Sequence, residues 1–570
     1  MNLEFNKNED ILKQSLSDLR RRLEKIYEGG GKKAIDKQHE KNKLTPRERI
    51  DYLADKGKPF IEIAAFAGFE MYEEQGGCPA GGTVAGMGYV SGRQCIIVAN
   101  DQTVKAGAWF PITGKKNLRM QEMAMENHLP IIYLVDSAGV FLPMQDEIFP
   151  DKEHFGRIFR NNARISGMGI TQIAAVMGAC VAGGAYLPIM SDETLMVEGN
   201  GSIFLAGSYL VKAAIGEDID NETLGGAITH TEISGIADYK FKTEQECMDH
   251  IKKMMGMLGE KPKAGFDRIV SKAPAKSAEE LYGLFPHDGK PYDMLDVIER
   301  IVDKAQGTRN KEQGGKVINE LEEGSSFEQF KPDYGKTIIC GYGRIDGWAV
   351  GIVANQRLVM KAKKSVRPGR SDGAEMQMGG VIYNDSADKA ARFILNCNQK
   401  KIPLVFLQDV TGFMVGSRSE HSGIIKDGAK MVNAVANSVV PKITIIVGNS
   451  YGAGNYAKCG KAYDPRFIYA WPTAKIAVMG GDAAAKVLLQ IEVASLKAKG
   501  QVITPEAENK LLSDIKNRYD KQTSPYYAAA RLWVDAIIDP VKTREVISEG
   551  IAAANNNPVI ESMKTGVFQV

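Results

Sequence analysis

The sequence predicts an α/β protein in which one domain occurs twice behind an N-terminal helical arm. Three blocks of sequence recur in the same order in the two halves of the 570-residue chain. Within each half, short Val/Ile-rich stretches alternate with stretches of helical period, which is typical of a mixed or parallel sheet covered by helices. A chain of this length also exceeds the size at which a single hydrophobic core stops growing, so we expect two domains.

The first part of the chain predicts the helical arm. Residues 12–57 alternate apolar and charged positions at helical spacing, and Gly29, Gly30 and Gly31 interrupt the pattern. The N-terminus carries acidic residues early and has no apolar stretch after a basic start, so it resembles neither a secretory signal nor a typical transit peptide. No apolar run reaches the about 18 residues that span a bilayer. We therefore expect a cytoplasmic protein without direct membrane insertion.

The repeated blocks indicate a duplication. They are residues 86–100 with 341–355, 129–143 with 402–416, and 170–188 with 440–458. The first block begins G-x-G-x-x-x-G and ends IVAN in both copies, and the second is a buried strand followed by a tight turn, in which Asp136 aligns with Asp409. The third aligns Gly184 with Gly454. A similarity between two stretches of this kind is common by chance for one block, but three similar blocks in the same order are unlikely to arise by chance.

The spacing of the blocks predicts the domain boundaries. The second copy carries an insertion at about 357–379, whose basic, glycine-bearing sequence predicts a loop. Prolines among charges between 259 and 291 predict a connection between domains. We therefore predict an arm over 1–60, an N-terminal copy over 61–290 and a C-terminal copy over 291–570.

Composition excludes several classes of protein. Lys+Arg number 72 and Asp+Glu 70, so no net field attracts nucleic acid. The seven cysteines contain no CxxC pair, which argues against a disulfide framework or a thiolate zinc site. The histidines form no HExxH or HxH cluster, and no G-x-S-x-G elbow or GxxxxGK[ST] loop occurs. We assign His154 and His230 to packing and predict no metal site.

Each copy of the third block ends in a glycine-rich junction between a strand and a helix, at residues 180–186 and 451–456. Glycine lets backbone N–H groups approach a ligand, and a helix N-terminus adds positive potential, so each junction could hold an oxyanion such as a thioester enolate. The turns after Asp136 and Asp409 could supply facing walls or further donors. Close packing of helix on sheet is the alternative interpretation of one such run. Two equivalent junctions favour one pocket built from both copies, with an oxyanion site for each of two carbonyl groups.

With these residues the sequence resembles the carboxyltransferase (β) subunits of biotin-dependent acyl-CoA carboxylases, most closely the 3-methylcrotonyl-CoA carboxylase branch. The resemblance spans nearly the whole chain. It is carried by stretches such as KLTPRERIDYLAD, DKEHFGRIFRNNARIS, MGACVAGGAY, GNGSIFLAGSYLVKAAIGE, FLQDVTGFMVG and YGAGNYAKCGKAYDPRFIYAWPTAKIAVMGG. It implies a pair of crotonase-like (ClpP/crotonase) domains, in agreement with the repeat.

The resemblance also implies a mechanism. Carboxybiotin, carried by a separate biotin carboxylase/biotin carboxyl carrier subunit, releases CO2 in a site between subunits and then takes the acidic proton of the acyl-CoA, and the enolate attacks CO2. No protein side chain need act as the base, which agrees with the lack of a recognisable catalytic motif built on histidine or carboxylate side chains. By position, the thioester carbonyl would be held by Gly183, Gly184 and Ala185, and the biotin ureido oxygen by Ala453, Gly454 and Asn455. Further contacts would come from Gly412, Phe413, Gly452 and Tyr456 for biotin, and from Ser137, Ala138, Gly139, Tyr186 and Gly207 for the acyl-CoA.

The same resemblance implies a homo-oligomer, with a hexameric core and active sites between the N-terminal domain of one subunit and the C-terminal domain of another. Lys361 lies in a Val-Met-Lys-Ala tetrapeptide, which lacks the second methionine usual around a biotin-bearing lysine. We therefore predict that biotin is not attached to this chain.

Departures from the family leave the substrate open. Where relatives usually have Gly-Pro-Pro, this chain has Gly207, Ser208 and Tyr209, and it has SAGVFLP from Ser137 where relatives often show a Ser-Gly-Gly turn. The favoured substrate is 3-methylcrotonyl-CoA, in leucine degradation. Carboxylation of geranyl-, propionyl- or acetyl-CoA remains an alternative, as does a decarboxylase such as glutaconyl-CoA decarboxylase, whose carboxyltransferase subunit has a similar insertion. A crotonase-type hydratase or isomerase would need carboxylates near Gly184, and a non-catalytic scaffold would tolerate loss of the glycine pairs, which are intact.

Overall fold

The computed structural model describes residues 3–149, 151–286, 289–305, 308–313, 316–321, 324–362, 375–500 and 504–569.

The N-terminal arm is helical, as predicted. It contains α1 (Leu3–Tyr27), α2 (Lys32–His39) and α3 (Pro46–Leu53). The interruption falls at the glycines, because Gly29 and Gly31 have φ of 53° and 86°, a region that glycine enters without a steric penalty. A capping box starts α3: Thr45 Oγ1 accepts from the N–H of Glu48, whose carboxylate accepts from the N–H of Thr45.

The first half of the chain forms an eight-stranded sheet. Its strands are β1 (Ile61–Glu62), β2 (Thr83–Val90), β3 (Arg93–Asn100), β4 (Ile131–Ser137), β5 (Gln172–Val181), β6 (Glu193–Val197), β7 (Ser202–Phe204) and β8 (Tyr239–Phe241). The order is β1-β2-β3-β4-β5-β6-β8, with β7 beside the end of β5. The β2–β3 pair is an antiparallel hairpin, and the strands from β3 to β8 are parallel. The helices of this half are α4 (Pro111–Asn127), α5 (Phe155–Gly167), α6 (Tyr186–Ile189), α7 (Ser208–Ile215), α8 (Asn221–Gly225) and α9 (Glu244–Met257).

Along the chain, two short helices and a two-stranded hairpin separate the strands of the first sheet from those of the second. They are α10 (Leu281–Leu284), α11 (Met294–Ile298), β9 (Thr308–Gln313) and β10 (Lys316–Leu321). The predicted connection between the domains is not free of contacts, because the N–H of Ala264 donates to Asn555 O and that of Ile269 to Gly347 O. These hydrogen bonds attach the connection to the second half.

The second half repeats the architecture. Its strands are β11 (Glu328–Phe330), β12 (Ile338–Ile345), β13 (Trp348–Asn355), β14 (Met360–Ala362), β15 (Glu375–Gln377), β16 (Val381–Ile382), β17 (Leu404–Val410), β18 (Gly412–Phe413), β19 (Lys442–Tyr451), β20 (Phe467–Ala470), β21 (Lys475–Ala477) and β22 (Ala536–Ile537). The sheet order is β11-β12-β13-β17-β19-β20-β22, with β21 beside the end of β19. The helices are α12 (Asn384–Gln399), α13 (Ser417–His421), α14 (Ile424–Ala436), α15 (Ala453–Ala457), α16 (Gly481–Ala498), α17 (Pro505–Thr523), α18 (Pro525–Ala530) and α19 (Thr543–Ala554).

The two sheets match in detail, which confirms the α/β fold and explains the repeat. The parallel pairing of β4 with β5 is interrupted by a bulge between Val135 and Ser137, and that of β17 with β19 by a bulge between Gln408 and Val410. Because these positions correspond in the predicted alignment of the second block, even an irregularity of the sheet is duplicated.

A buried polar arrangement couples the three repeated blocks. The N–H of Asp136, in the second block, donates to Oδ1 of Asn100 at the end of the first block, at 3.3 Å. The Asp136 carboxylate lies against Gly178 of the third block, where a Cβ would come within 1.8 Å of it. The same arrangement recurs in the second sheet among Asn355, Asp409 and Gly448. The blocks therefore recur together because each supplies one part of this contact.

The insertion in the second copy departs from the prediction. Its ends pair as the antiparallel hairpin β14–β15, where Lys361 lies opposite Met376, so the segment is not simply a loop. The ladder satisfies main-chain polar groups that a loop would leave to water. The segment between the two strands falls outside the described residues.

The halves share a large core cluster, and each half also has a core cluster of its own. A single cluster of buried side chains includes Ile131 and Val176 from the first sheet together with Val405 and Ile443 from the second. No helix within the described parts of the chain combines the length and apolar character needed to cross a bilayer.

Candidate active site

The first glycine-rich junction follows β5. The chain leaves the strand at Val181 and turns through a 3-10 segment, Ala182–Ala185, into α6. Ala182 has φ of 55°, and Gly184 is buried. A Cβ at position 184 would lie 3.9 Å from the Cα of Gly139, so the structure brings the turn after β4 against the glycine run.

The turn after β4 is fixed by hydrogen bonds. The Ser137 hydroxyl donates to Gly107 O at 2.7 Å and accepts from the N–H of Gly139 at 3.1 Å. The N–H of Ala138 donates to Ala106 O, while Ala138 itself is exposed. Ser137, Ala138 and Gly139, all predicted to contact the acyl-CoA, therefore form a rigid wall beside Gly184.

Gly207 and Tyr186 lie at the same edge of the sheet. Phe204 of β7 pairs with Val181 at the end of β5, and its ring lies 3.2 Å from where a Cβ of Gly207 would be. Tyr186, the first residue of α6, is 49% exposed. The structure thus places both residues near the junction.

An aromatic row beneath this junction was not identified from the sequence. The Trp109 and Phe155 ring centroids are 4.9 Å apart, those of Phe155 and Phe159 are 5.2 Å apart, and Phe159 lies 5.6 Å from Tyr186. A Cβ at Gly183 would lie 3.1 Å from the Phe155 ring, so the row supports the glycine run. The HFGRIF stretch that resembles the family contains two of these rings and was the available signal.

The second junction follows β19 and has the same outline. Gly452, at φ 52°, takes the place of Ala182 and leads into α15. Gly454 is buried, and Tyr456 is 48% exposed, close to the value for Tyr186. The surroundings of the buried glycine differ, because a Cβ at position 454 would lie 2.6 Å from Cγ2 of Val410.

Gly412 and Phe413, predicted to contact biotin, form β18. This strand pairs with β16 and lies against α15. Gly412 has φ of 139°, and a Cβ there would have no neighbour within 4 Å. The Phe413 ring instead packs on Gly428 of α14, 2.9 Å from where its Cβ would be. The structure therefore brings this pair of residues to the second junction.

Asn455 takes part in a hydrogen-bond network that the sequence did not reveal. Its N–H donates to Gly452 O at 3.1 Å, within the turn. Its side-chain Nδ2 donates to Ser450 Oγ at 2.7 Å, and Ser450 Oγ donates to Gln408 Oε1 at 2.6 Å. Nε2 of Gln408 donates to Lys458 O, also at 2.6 Å. The only sequence signal was the polar character of Gln408 and Ser450 at positions where the first copy has Val135 and Cys180.

A cavity of about 830 Å³ opens beside the second junction. Its lining includes Ser450, Gly452, Asn455, Tyr456 and Lys461. The loop after β21 and α16 add mainly apolar residues, and α17 adds side chains with polar groups. The lining residues that the structure describes all fall between Ile446 and Trp533. Within one chain, the first junction therefore contributes no residue to this cavity.

A buried ion network backs the cavity. Lys461 Nζ donates to Asp535 Oδ1 at 2.8 Å, and Arg119 of α4 holds both oxygens of the same carboxylate at 3.0 and 2.9 Å. Although burial alone would raise it, the two cations hold the pKa of Asp535 well below its usual range. Burial lowers the pKa of Lys461. The network links the cavity wall to the first half of the chain.

Both histidines assigned to packing have structural contacts. Nε2 of His154 lies 3.0 Å from Pro111 O, and burial lowers the pKa of this ring. His230 contacts Ile203 O through Nε2 and Ser234 Oγ through Nδ1. Among the residues that the structure describes, no group of His, Cys, Asp and Glu side chains has the arrangement of a metal site.

Comparison with known proteins identifies full-length relatives. The model of the carboxyl transferase domain family matches residues 37–568. The chain is 45% identical over 576 residues to the mitochondrial methylcrotonoyl-CoA carboxylase beta chain of Arabidopsis thaliana, covering 99% of this chain and 90% of the relative. It is 44% identical over 562 residues to the biotin-dependent 3-methylcrotonyl-coenzyme A carboxylase beta1 subunit of Mycobacterium tuberculosis, covering 98% of each. The crystal structure of the beta subunit of P. aeruginosa geranyl-CoA carboxylase matches with a TM-score of 0.81 at 35% identity, covering 100% of this chain and 98% of that one.

Proposed function

The chain belongs to the carboxyl transferase domain family, and from this premise we propose that it is the carboxyltransferase subunit of a biotin-dependent acyl-CoA carboxylase. The favoured substrate is 3-methylcrotonyl-CoA, whose carboxylation serves leucine degradation. Full-length identity of 44–45% to methylcrotonoyl-CoA carboxylase beta chains supports the assignment. The single structural observation that carries it is the glycine-rich junction repeated at equivalent ends of two matching sheets.

The acyl-CoA would bind at the first junction. Main-chain N–H groups of Gly183, Gly184 and Ala185 would hold the thioester oxygen, and the Ser137–Gly139 turn would form the facing wall. Donors fixed before the reaction stabilise developing negative charge without reorganising, which is commonly the largest contribution to such catalysis. Because Gly184 has no side chain, a planar thioester can approach the main chain closely.

The residues at the second junction fit the biotin ring system. The cavity beside Gly452 and Tyr456 is large enough for a small bicyclic group, has mainly apolar walls and contains several polar donors. Ala453 and Gly454 are the first residues of α15, where helix N–H groups lack intrahelical acceptors. When bound, carboxybiotin supplies the CO2 and the base for the reaction. The role of this chain is to hold the ureido oxygen, orient the ring and exclude water.

A second subunit would complete the site. The described lining of the cavity comes from the second half of the chain, whereas the proposed acyl-CoA residues lie in the first half. We therefore place the active site between the first half of one subunit and the second half of another, in a hexameric core. A biotin carboxylase/biotin carboxyl carrier subunit would deliver the cofactor. Avidin blotting of the denatured chain should accordingly detect no biotin on Lys361.

Incorporation of labelled bicarbonate tests the proposal. The chain, purified with its biotinylated partner, should incorporate label into 3-methylcrotonyl-CoA when ATP is present, with a higher kcat/KM than for geranyl-, propionyl- or acetyl-CoA. The structural match to a geranyl-CoA carboxylase subunit favours geranyl-CoA as the second candidate. Failure to carboxylate any acyl-CoA would contradict the carboxylase assignment. Release of CO2 from glutaconyl-CoA in its place would establish the decarboxylase direction.

A further inference from the structure

The two junctions are built alike, but only the second contains a hydrogen-bonded chain of side chains. We propose that Gln408 and Ser450 are positioning residues that hold the first turn of α15 through the side chain of Asn455. The second junction is thereby preorganised for its ligand in a way that the first is not. This inference rests on the proposed function for the identity of that ligand, but not for the existence of the positioning device.

The chain of hydrogen bonds holds α15 at both ends. Asn455 lies in its first turn and is bound through Ser450 to Gln408. Nε2 of Gln408 returns to the carbonyl of Lys458, the residue that follows the last turn. Gln408 belongs to β17 and Ser450 to β19, and both are completely buried. The short helix is therefore tied to two central strands of the sheet.

The first copy shows that the turn does not need this network in order to form. The equivalent residues there are Val135, Cys180 and Ala185, all buried, and their side chains cannot form a corresponding chain. The turn nevertheless has the same outline, with a positive φ at the first position, a buried glycine and an exposed tyrosine. A requirement of the fold alone would apply equally to both copies, so the network points to a demand specific to the second junction.

The network faces a place where a ligand can bind. Ser450 and Asn455 both line the cavity beside α15. A fully satisfied polar network in a low-dielectric interior rigidifies the groups that it holds. A catalytic turn that is misplaced by about 1 Å can lose about a hundredfold in rate. Rigidity at this turn therefore acts on the reacting groups through Ala453 and Gly454.

Replacing each residue with its counterpart from the first copy tests the inference. In the holoenzyme, Ser450→Cys and Gln408→Val should each lower kcat by about 10- to 100-fold, while the KM for acyl-CoA stays within about twofold. Release of CO2 from the carboxylated partner in the absence of acyl-CoA should fall in parallel. The conservative Ser450→Thr change keeps the hydroxyl and should restore most of the rate. The matched control in the first copy is Val135→Thr, at the position equivalent to Gln408 and outside the first junction, and it should leave kcat within about threefold.

Hydrogen exchange gives a readout that requires no activity. Amides of residues 452–460 should exchange faster in Ser450→Cys than in the wild type, while those of 182–190 remain unchanged. If Ser450→Cys does not fold, Asn455→Ala removes the half-buried end of the same series of hydrogen bonds. It should give the same faster exchange of the amides of residues 452–460. Unchanged exchange, or an unchanged kcat in a correctly assembled variant, would overturn the inference. If the wild-type complex carboxylates no acyl-CoA, the proposed function fails, and hydrogen exchange still decides whether the two residues position the turn.

Discussion

Gly184 and Gly454 occupy equivalent positions for different physical reasons. At Gly184 the nearest atom to an added Cβ is 3.9 Å away, so the site has room for a methyl group. At Gly454 the Val410 side chain leaves only 2.6 Å. Packing therefore does not require a glycine at position 184, whereas it does at position 454.

Substitution by alanine should distinguish these two positions. Gly184→Ala should leave the thermal midpoint within about 2 °C of wild type and lower carboxylation, because the methyl group crowds the thioester. Gly454→Ala should destabilise the protein by about 1–3 kcal/mol, since the neighbouring Val410 must move. Adding Val410→Ala to Gly454→Ala should recover part of that loss. Equal stability of the two single variants, measured by thermal or denaturant unfolding, would contradict this account.

Lys458 should make stability depend on pH. It is completely buried, its Nζ donates to Val353 O at 2.7 Å, and burial lowers its pKa from 10.5 to about 7. Between these pH values the unfolded chain binds a proton that the native state has released. The free energy of unfolding should therefore rise as the pH increases above about 7, by at most about 1.4 kcal/mol per unit. Below pH 7 this dependence should disappear.

The comparison that isolates this effect is with Lys458→Met. Denaturant unfolding of both proteins between pH 6 and 9 should show wild type gaining stability relative to the variant only above about pH 7. Parallel profiles over the whole range would mean that the lysine stays charged in the native state up to pH 9.

At the scale of elements, the N-terminal arm shows what a pattern can and cannot predict. Helical periodicity and the three glycines predict its helices and their interruption. They do not predict that Leu16, Leu19 and Ile26 of α1 pack with Ile446 and Ile468 of the second half. An amphipathic helix specifies that it has a buried face but not which surface covers it. The arm therefore connects the start of the chain to the sheet that carries the second junction.

The arm should contribute measurably to stability. Leu19→Ala removes a buried side chain from this contact and should cost about 2–4 kcal/mol, lowering the thermal midpoint. Leu3→Ala, at an exposed position on the same helix, is the matched control and should change stability by less than about 0.5 kcal/mol. Similar midpoints for the two variants would show that α1 is not part of the cooperative fold.

The sequence predicted the two glycine-rich junctions, because glycine runs and the repeat of the third block are visible in the sequence. The duplicated α/β fold and the arm are confirmed, because strand alternation and block order are local signals. The Asn455–Ser450–Gln408 chain could not be predicted, since hydrogen bonds between residues 42 apart, as for Ser450 and Gln408, depend on tertiary geometry. Charges and glycines predict a loop for the insertion, and no apolar alternation marks the hairpin β14–β15, because each of its cross-strand pairs contains a polar residue. The roles of the individual site residues remain predictions.

At the scale of the whole molecule, a single chain leaves apolar surface exposed beside both junctions. On the first half, Tyr209 of α7 is 84% exposed close to Gly207. On the second half, Val478 is 77% exposed beside Gly452, and Ile491 of α16 is also exposed. Exposed apolar patches next to a functional site are typical of surfaces that another subunit covers. This arrangement favours a site assembled from the first half of one chain and the second half of another.

Complementation between two inactive variants tests that arrangement directly. Gly184→Val should inactivate the first junction, and Gly454→Val, made in the Val410→Ala background, should inactivate the second. Each assembled alone should be inactive. In mixed assemblies with shared sites, half of the subunit pairs contain both variants, and each such pair has one site built from two intact halves. Co-expression should therefore restore about one quarter of wild-type activity in a two-fold symmetric pair. If each chain carries a complete site, every site holds one defect, and the mixture stays inactive although sizing shows the same oligomer.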